Sequence, residues 1–395
     1  MQAYLKREPL QKKLKTLIKN YPAVAILGAR QVGKSTLAKK ILTQFKKSVY
    51  LDLQLPRELN KLSDPEAFFD LHKQGLICLD EIQYKTNLFQ ILRGIIDQRK
   101  RNGQFLILGS ASRDLIQQSS ETLAGRIAFL DITPFDIQEV KEKHFHKHWL
   151  RGGYPLSFLS QSDDLSLEWR YNYIRTFLER DIPQLGFNIP SKTLERFWKL
   201  LSHSQGQTLN SSKLGEILGK SSHTIKNYID ILEQAFVVRT LKPYIKNIKK
   251  RLVKSPKIYI RDTGLLHAHL NIETSDELFG HPIYGSSFES YVIENICHNL
   301  KNWNHYFYRT SSGTELDLVL EKAGKLVAIE IKASTSAKPS RGFWNGIEDI
   351  KADKKYIIAP IKDTYPIQNN VIVTHLSSFL KEHSMGKSDA SKKIV

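Results

Sequence analysis

Residues Gly28-Ala-Arg-Gln-Val-Gly33-Lys34-Ser35-Thr36 lie between an apolar run, Ala23-Val-Ala-Ile-Leu27, and a helix-forming run, Leu37-Ala-Lys-Lys-Ile-Leu42. Strand, glycine-rich loop and helix start follow in the order that the phosphate-binding pattern G-x-x-x-x-G-K-[ST] requires. Gly28 and Gly33 let the backbone from Ala29, Arg30, Gln31 and Val32 to Thr36 fold round a triphosphate with its N–H groups inward. The helix N-terminus adds the positive end of its dipole. In such a loop Lys34 contacts the β and γ phosphates and Ser35 ligates Mg²⁺. ATP with Mg²⁺ is the expected cofactor.

A second apolar strand, Leu76-Ile-Cys-Leu79, ends in Asp80-Glu81. This is the Walker B form: Asp80 organises the Mg²⁺ shell, and Glu81 polarises an attacking water. A third, Phe105-Leu-Ile-Leu108, ends at Gly109-Ser110-Ala111-Ser112, which makes Ser110 a candidate sensor of the γ-phosphate. Strands expected at 23–27, 48–53, 76–80, 105–109 and 127–132 alternate with helical patterns, so the first 150 residues read as a parallel sheet covered by helices.

The chain has 395 residues, enough for several domains, and a formal net charge of +19. That excess favours a polyanionic partner, DNA first. A protein partner and self-association stay open. The two cysteines, Cys78 and Cys297, lie far apart and offer neither a disulfide framework nor a zinc spacing. The N-terminus lacks the apolar core of a secretory signal, and no run of about 18 apolar residues occurs, so a cytoplasmic protein with no membrane partner is expected. His144, His146 and His148 do not share one helical face; 137–150 reads as a solvated helix or linker, with a boundary at Gly152-Gly-Tyr-Pro155.

Residues 206–270 have a separate pattern. A short helix at 212–218, the turn Gly219-Lys220 and a second helix carrying Ile225, Ile229, Leu232 and Phe236 on one face make a helix-turn-helix. His223, Lys226 and Asn227 occupy the other face, where base contacts are made. Two strand-like segments, 237–241 and 257–260, enclose a basic run that includes Lys249, Lys250 and Arg251 and that no acid interrupts. As a wing it offers phosphate contacts; a protein-docking role is the alternative.

Residues 283–375 hold a second constellation. Glu315-Leu-Asp317 and Glu330-Ile-Lys332 flank the turn Lys322-Ala-Gly-Lys325. A hairpin centred on Ala323 and Gly324 sets Asp317 opposite Glu330 and Glu315 opposite Lys332, all on one face. Facing carboxylates suit Mg²⁺ or Mn²⁺, with Lys332 near the attacking water or the phosphate. Asp317 and Glu330 are the expected metal ligands, joined by Glu289, or in second place Glu294, from an upstream helix. The segment resembles the PD-(D/E)XK nucleases; a solvated charge cluster is the alternative.

The whole chain resembles a prokaryotic family of AAA-type P-loop ATPases with an uncharacterised C-terminal domain. The resemblance rests on the two phosphate-site motifs, Gly109-Ser-Ala-Ser112, Leu123-Ala-Gly-Arg126, Gly152-Gly-Tyr-Pro155, Leu178-Glu-Arg-Asp181, Lys257-Ile-Tyr-Ile-Arg-Asp-Thr-Gly264 and Glu330-Ile-Lys332. It implies an α/β architecture: a P-loop parallel core over 1–150, a helical linker at 151–205, a winged helix at 206–270, a small restriction-endonuclease-like domain at 280–380 and a tail at 381–395. By motif position Arg126 is a candidate arginine finger or sensor, with a structural salt bridge as the competing role. An ATPase acting on DNA is the expected activity, with a metal-dependent deoxyribonuclease as the candidate second one; a nucleotide-dependent scaffold that cuts nothing is the rival.

Overall fold

The computed structural model describes residues 4–110, 122–245 and 251–384. They form two compact units, Met1–Phe135 with Gln234–Phe236, and Asp136–Glu233 with Val237–Val395. The first is built on a wholly parallel sheet of β1 (Ala23–Gly28), β2 (Ser48–Asp52), β3 (Leu76–Asp80), β4 (Phe105–Ser110) and β5 (Ile127–Asp131), in the order β2-β3-β4-β1-β5. Every residue of β1 and β3 is buried, the pattern of strands covered on both faces. Leu27, Leu51, Ile77, Leu79, Phe105 and Ile107 share one core with Leu88 and Leu92 of the helix Leu88–Arg99. Because β4 stands between β1 and β3, the phosphate loop and the Asp80-Glu81 tip emerge at one edge, two strands apart.

The second unit carries an eight-stranded mixed sheet. Its members are β6 (Val238–Pro243), β7 (Lys257–Ile260), β8 (Asn304–Arg309), β9 (Glu315–Lys322), β10 (Lys325–Ile331), β11 (Lys354–Ile358), β12 (Tyr365–Ile367) and β13 (Val371–Thr374). Their order is β12-β13-β11-β10-β9-β8-β6-β7. The hairpin β9–β10 has the register that the spacing predicts, with Lys322 opposite Lys325 and Leu318 opposite Ile329. Ala323 and Gly324 both take positive φ, as a two-residue turn matched to strand twist requires.

Two expectations about domains change here. The β6–β7 hairpin follows the helices Ser211–Leu218 and Ser222–Gln234, but β6 also pairs in parallel with β8. Segments 206–270 and 280–380 therefore share one sheet. Residues 136–150 pack with the second unit and are not a solvated linker. His148 is hydrogen-bonded to the Tyr291 hydroxyl at 2.8 Å, and the Trp149 indole N–H donates to Ser287 at 2.9 Å. The expected boundary at Gly152-Gly153 is an interior seam: the Gly153 N–H donates to Asp262 at 2.8 Å, and a Cβ on Gly152 (φ 75°) would meet the same carboxylate at 2.1 Å. Burial holds that carboxyl up to about 6 against the N–H groups of Gly153 and Leu265. Leu178-Glu-Arg-Asp181 lies in a π-helical turn, Phe177–Asp181. Among the described residues no helix is long and apolar enough to cross a membrane.

Candidate functional site

The phosphate loop leaves β1 at Gly28, whose φ is 155° and where a Cβ would lie 2.1 Å from the Ile132 carbonyl oxygen. Only glycine lets the loop begin so close to the chain beyond β5. The helix Lys34–Leu42 starts at the loop's far end. Lys34 is 7% exposed, and its ammonium donates to the carbonyl oxygens of Gly28 and Ala29, both at 2.8 Å. The lysine thus bridges its own loop through neutral acceptors.

At the tip of β3, Asp80 is 3% exposed and accepts from the Glu81 N–H at 3.0 Å. Its other oxygen accepts from the Tyr50 hydroxyl. Burial, and then Asp80, push the Tyr50 phenol far above the ordinary range. The motifs do not single out Tyr50; its position on β2, beside the Walker B strand in the register Tyr50 to Cys78, is the one signal that points to it. Glu81 takes a left-handed backbone (φ 55°, ψ 49°), costly for a residue with a Cβ, and accepts from the Gln83 amide. Ser110 closes β4 directly opposite Gly28.

Arg126 stands elsewhere. It immediately precedes β5, level with Ala23, to whose N–H its carbonyl oxygen is bonded at 3.1 Å. Gly28 lies five residues further along a parallel strand, about 16 Å away. The guanidinium makes a two-pronged ion pair with Asp97, at 2.6 and 3.0 Å. Arg126 thus stands at the opposite end of the strands from the phosphate loop.

In the second unit the expected metal ligands are each engaged otherwise. Glu330 is 5% exposed; it accepts from the Ser340 N–H and pairs with Lys332 at 2.6 Å. Asp317 accepts from the Ile331 N–H at 2.8 Å. Glu289 pairs with Lys257 at 3.0 Å and accepts from the Tyr259 hydroxyl at 2.5 Å. Lys257 also reaches Glu315, at 2.8 Å. Among the described residues no three His, Cys, Asp or Glu side chains gather as a metal-binding group. A lysine of β7 stands among these acids. Burial first, then Glu289, raise the Asp317 carboxyl well above the usual range. Glu294, the second choice, is a structural anion: despite its burial, Arg239 and Arg261 hold its carboxyl far below the usual range.

Those ion pairs also change the basic run. Arg239, Lys257 and Arg261 meet acids of the helix Tyr284–Asn299, so they are not wing contacts. Arg251 is exposed, and Lys249 and Lys250 lie outside the described residues. On the helix Ser222–Gln234, His223, Lys226 and Asn227 are exposed, while Ile225, Ile229 and Leu232 are buried.

Comparison with known proteins adds three findings. The family described as "AAA domain" matches residues 20–141, and two domains of unknown function, DUF8612 and DUF4143, match 142–276 and 284–379. The uncharacterized protein Rv2008c of Mycobacterium tuberculosis is 36% identical over 381 residues, covering 96% of this chain and 86% of its own; the uncharacterized protein MJ1637 of Methanocaldococcus jannaschii is 23% identical, covering 94% and 87%. Among solved structures, the Walker-type ATPase PABY2304 of Pyrococcus abyssi superposes with a TM-score of 0.47 at 14% identity, over 68% of this chain and 96% of that one.

Proposed function

The chain belongs to the family of the mycobacterial protein Rv2008c, and with that as premise we propose that it is a DNA-directed ATPase whose turnover depends on Lys34, Ser35, Asp80 and Glu81. Its residues 20–141 are an AAA-type domain, a module that binds and hydrolyses ATP. One observation carries the assignment of residues: the phosphate loop and the buried Asp80 carboxylate emerge at the same end of the parallel sheet, from β1 and β3. An oxygen-only set of hydroxyl and carboxylate fits Mg²⁺, which supplies charge neutralisation to the phosphates when bound.

The protein's own groups have distinct tasks. Lys34 exchanges two carbonyl acceptors for phosphate oxygens, a favourable trade because the new partners are charged. Asp80 and Ser35 would hold the cation. Glu81, one residue past the metal acid, orients the attacking water and takes its proton. Ser110, opposite Gly28, reports the terminal phosphate.

The DNA half of the reading is supported by the exposed face of His223, Lys226 and Asn227 and by the formal charge of +19. Arg251 is a further exposed cation. ATP turnover measured with and without duplex DNA tests both halves. DNA is expected to raise the rate, and Lys226→Glu with Arg251→Glu to remove the stimulation and flatten the salt dependence of binding. An ATPase that neither binds duplex DNA nor responds to it would leave only the first half standing.

A further inference from the structure

Lys257 lies on β7, the edge strand that follows the helix-turn-helix, yet its ammonium sits among the carboxylates of the C-terminal helix and hairpin. It is 2% exposed. Its Nζ lies 3.0 Å from Glu289 and 2.8 Å from Glu315, and 5.7 Å from the centre of the Phe307 ring. The Tyr259 hydroxyl, two residues along the same strand, donates to the Glu289 oxygen that Lys257 also holds. Asp317, on β9, adds its attraction.

A buried acidic cluster must be neutralised, and one cation at its centre does that, whether ammonium or metal. A divalent cation would need those oxygens at about 2.0–2.6 Å and in larger number. Here one oxygen of Glu289 is shared between an ammonium and a phenol, and Glu315 is shared between Lys257 and Arg309. Glu330 is turned to the Ser340 N–H and Lys332. The lysine is covalently attached, so its local concentration does not fall when free metal is scarce. Displacing it would strand a buried ammonium without its partners.

We propose that Lys257 is a built-in cation that occupies the divalent-metal position of the carboxylate site, so that the C-terminal hairpin of this chain is closed to Mg²⁺ and Mn²⁺. The acids Glu289, Glu315 and Asp317 then serve to fix β7, and with it the helix-turn-helix segment, onto the hairpin. The identity of residue 257 decides metal occupancy, more than Asp317 or Glu330 does.

The test is a Mn²⁺ titration of the full, nucleotide-free chain, read from the paramagnetic resonance signal of free Mn²⁺. The wild type and Asp317→Ala should bind Mn²⁺ alike. Lys257→Met should take up one further Mn²⁺ at least about tenfold more tightly than the wild type, because the freed oxygens then need a cation. The double variant with Asp317→Ala should lose that gain, and Lys257→Arg should stay closed. If the wild type binds a Mn²⁺ that Asp317→Ala abolishes, the site is open and the proposal fails. A folded Lys257→Met that gains no Mn²⁺ overturns it as well. Should Lys257→Met not fold, the pair of wild type and Asp317→Ala decides by itself.

Discussion

Two lysines, one in each unit, are buried to nearly the same degree and have opposite partners. Lys34, 7% exposed, holds two backbone carbonyls of its own loop; Lys257, 2% exposed, holds two carboxylates from distant parts of the chain. Neutral acceptors give way to a phosphate, because a charge-assisted bond is about twice as strong. Carboxylates do not give way so readily, because each would be left buried without its counter-charge. The partner's charge thus decides whether a buried ammonium holds a place for a ligand or fills the place itself.

The largest expected effects break this comparison most openly. Lys34→Ala should lower ATP turnover by at least about 100-fold while leaving the denaturation midpoint nearly unchanged. Lys257→Ala should do the reverse, costing roughly 3–5 kcal/mol of stability in urea, since it strands buried carboxylates. Equal stability losses for the two variants would erase the distinction. Next in size, Glu81→Gln should slow hydrolysis about 100-fold while nucleotide still binds; a full hydrolysis rate would remove Glu81 from its role.

Smaller effects sharpen the picture of each site. The Asp317 carboxyl is raised, so its ionised form costs stability above its folded pKa, and that cost vanishes below the unfolded value near about 4. Asp317→Asn should therefore raise the melting temperature by a few degrees at about pH 8, and by nothing at about pH 4. A gain at the acidic end instead would reverse the sign of the assigned shift. The smallest change is Tyr50→Phe, expected to cost about 1 kcal/mol and to weaken the response to Mg²⁺. Unaltered Mg²⁺ dependence would detach the Tyr50–Asp80 hydrogen bond from the metal site.

How legible each site was in the sequence follows from how local it is. The phosphate loop is contiguous, and its glycines, lysine and serine keep their order whatever surrounds them. The hairpin register could be read as well, because a two-residue turn and alternation leave little freedom between Asp317 and Glu330. Lys257 could not be read as their partner. It looks like one member of an uninterrupted basic run, and the acids that meet that run, Glu289, Glu294 and Glu315, come from more than thirty residues further on. Arg126 is a related case: motif position does not say at which end of a strand a residue stands. The stretch 137–150 looks solvated by composition, yet His148 and Trp149 find Tyr291 and Ser287 in a helix 143 and 138 residues further on.

The most direct measurement is side-chain nitrogen NMR of lysine ammonium groups in the full chain. Buried, hydrogen-bonded ammoniums exchange slowly with water, and Lys34→Arg and Lys257→Arg assign the two signals. ATP with Mg²⁺ is expected to shift the Lys34 signal and leave that of Lys257 in place, and Mn²⁺ without nucleotide to leave the Lys257 signal at its metal-free width. A Lys257 signal that Mn²⁺ alone broadens or displaces, with Lys34 unmoved by ATP, would contradict both.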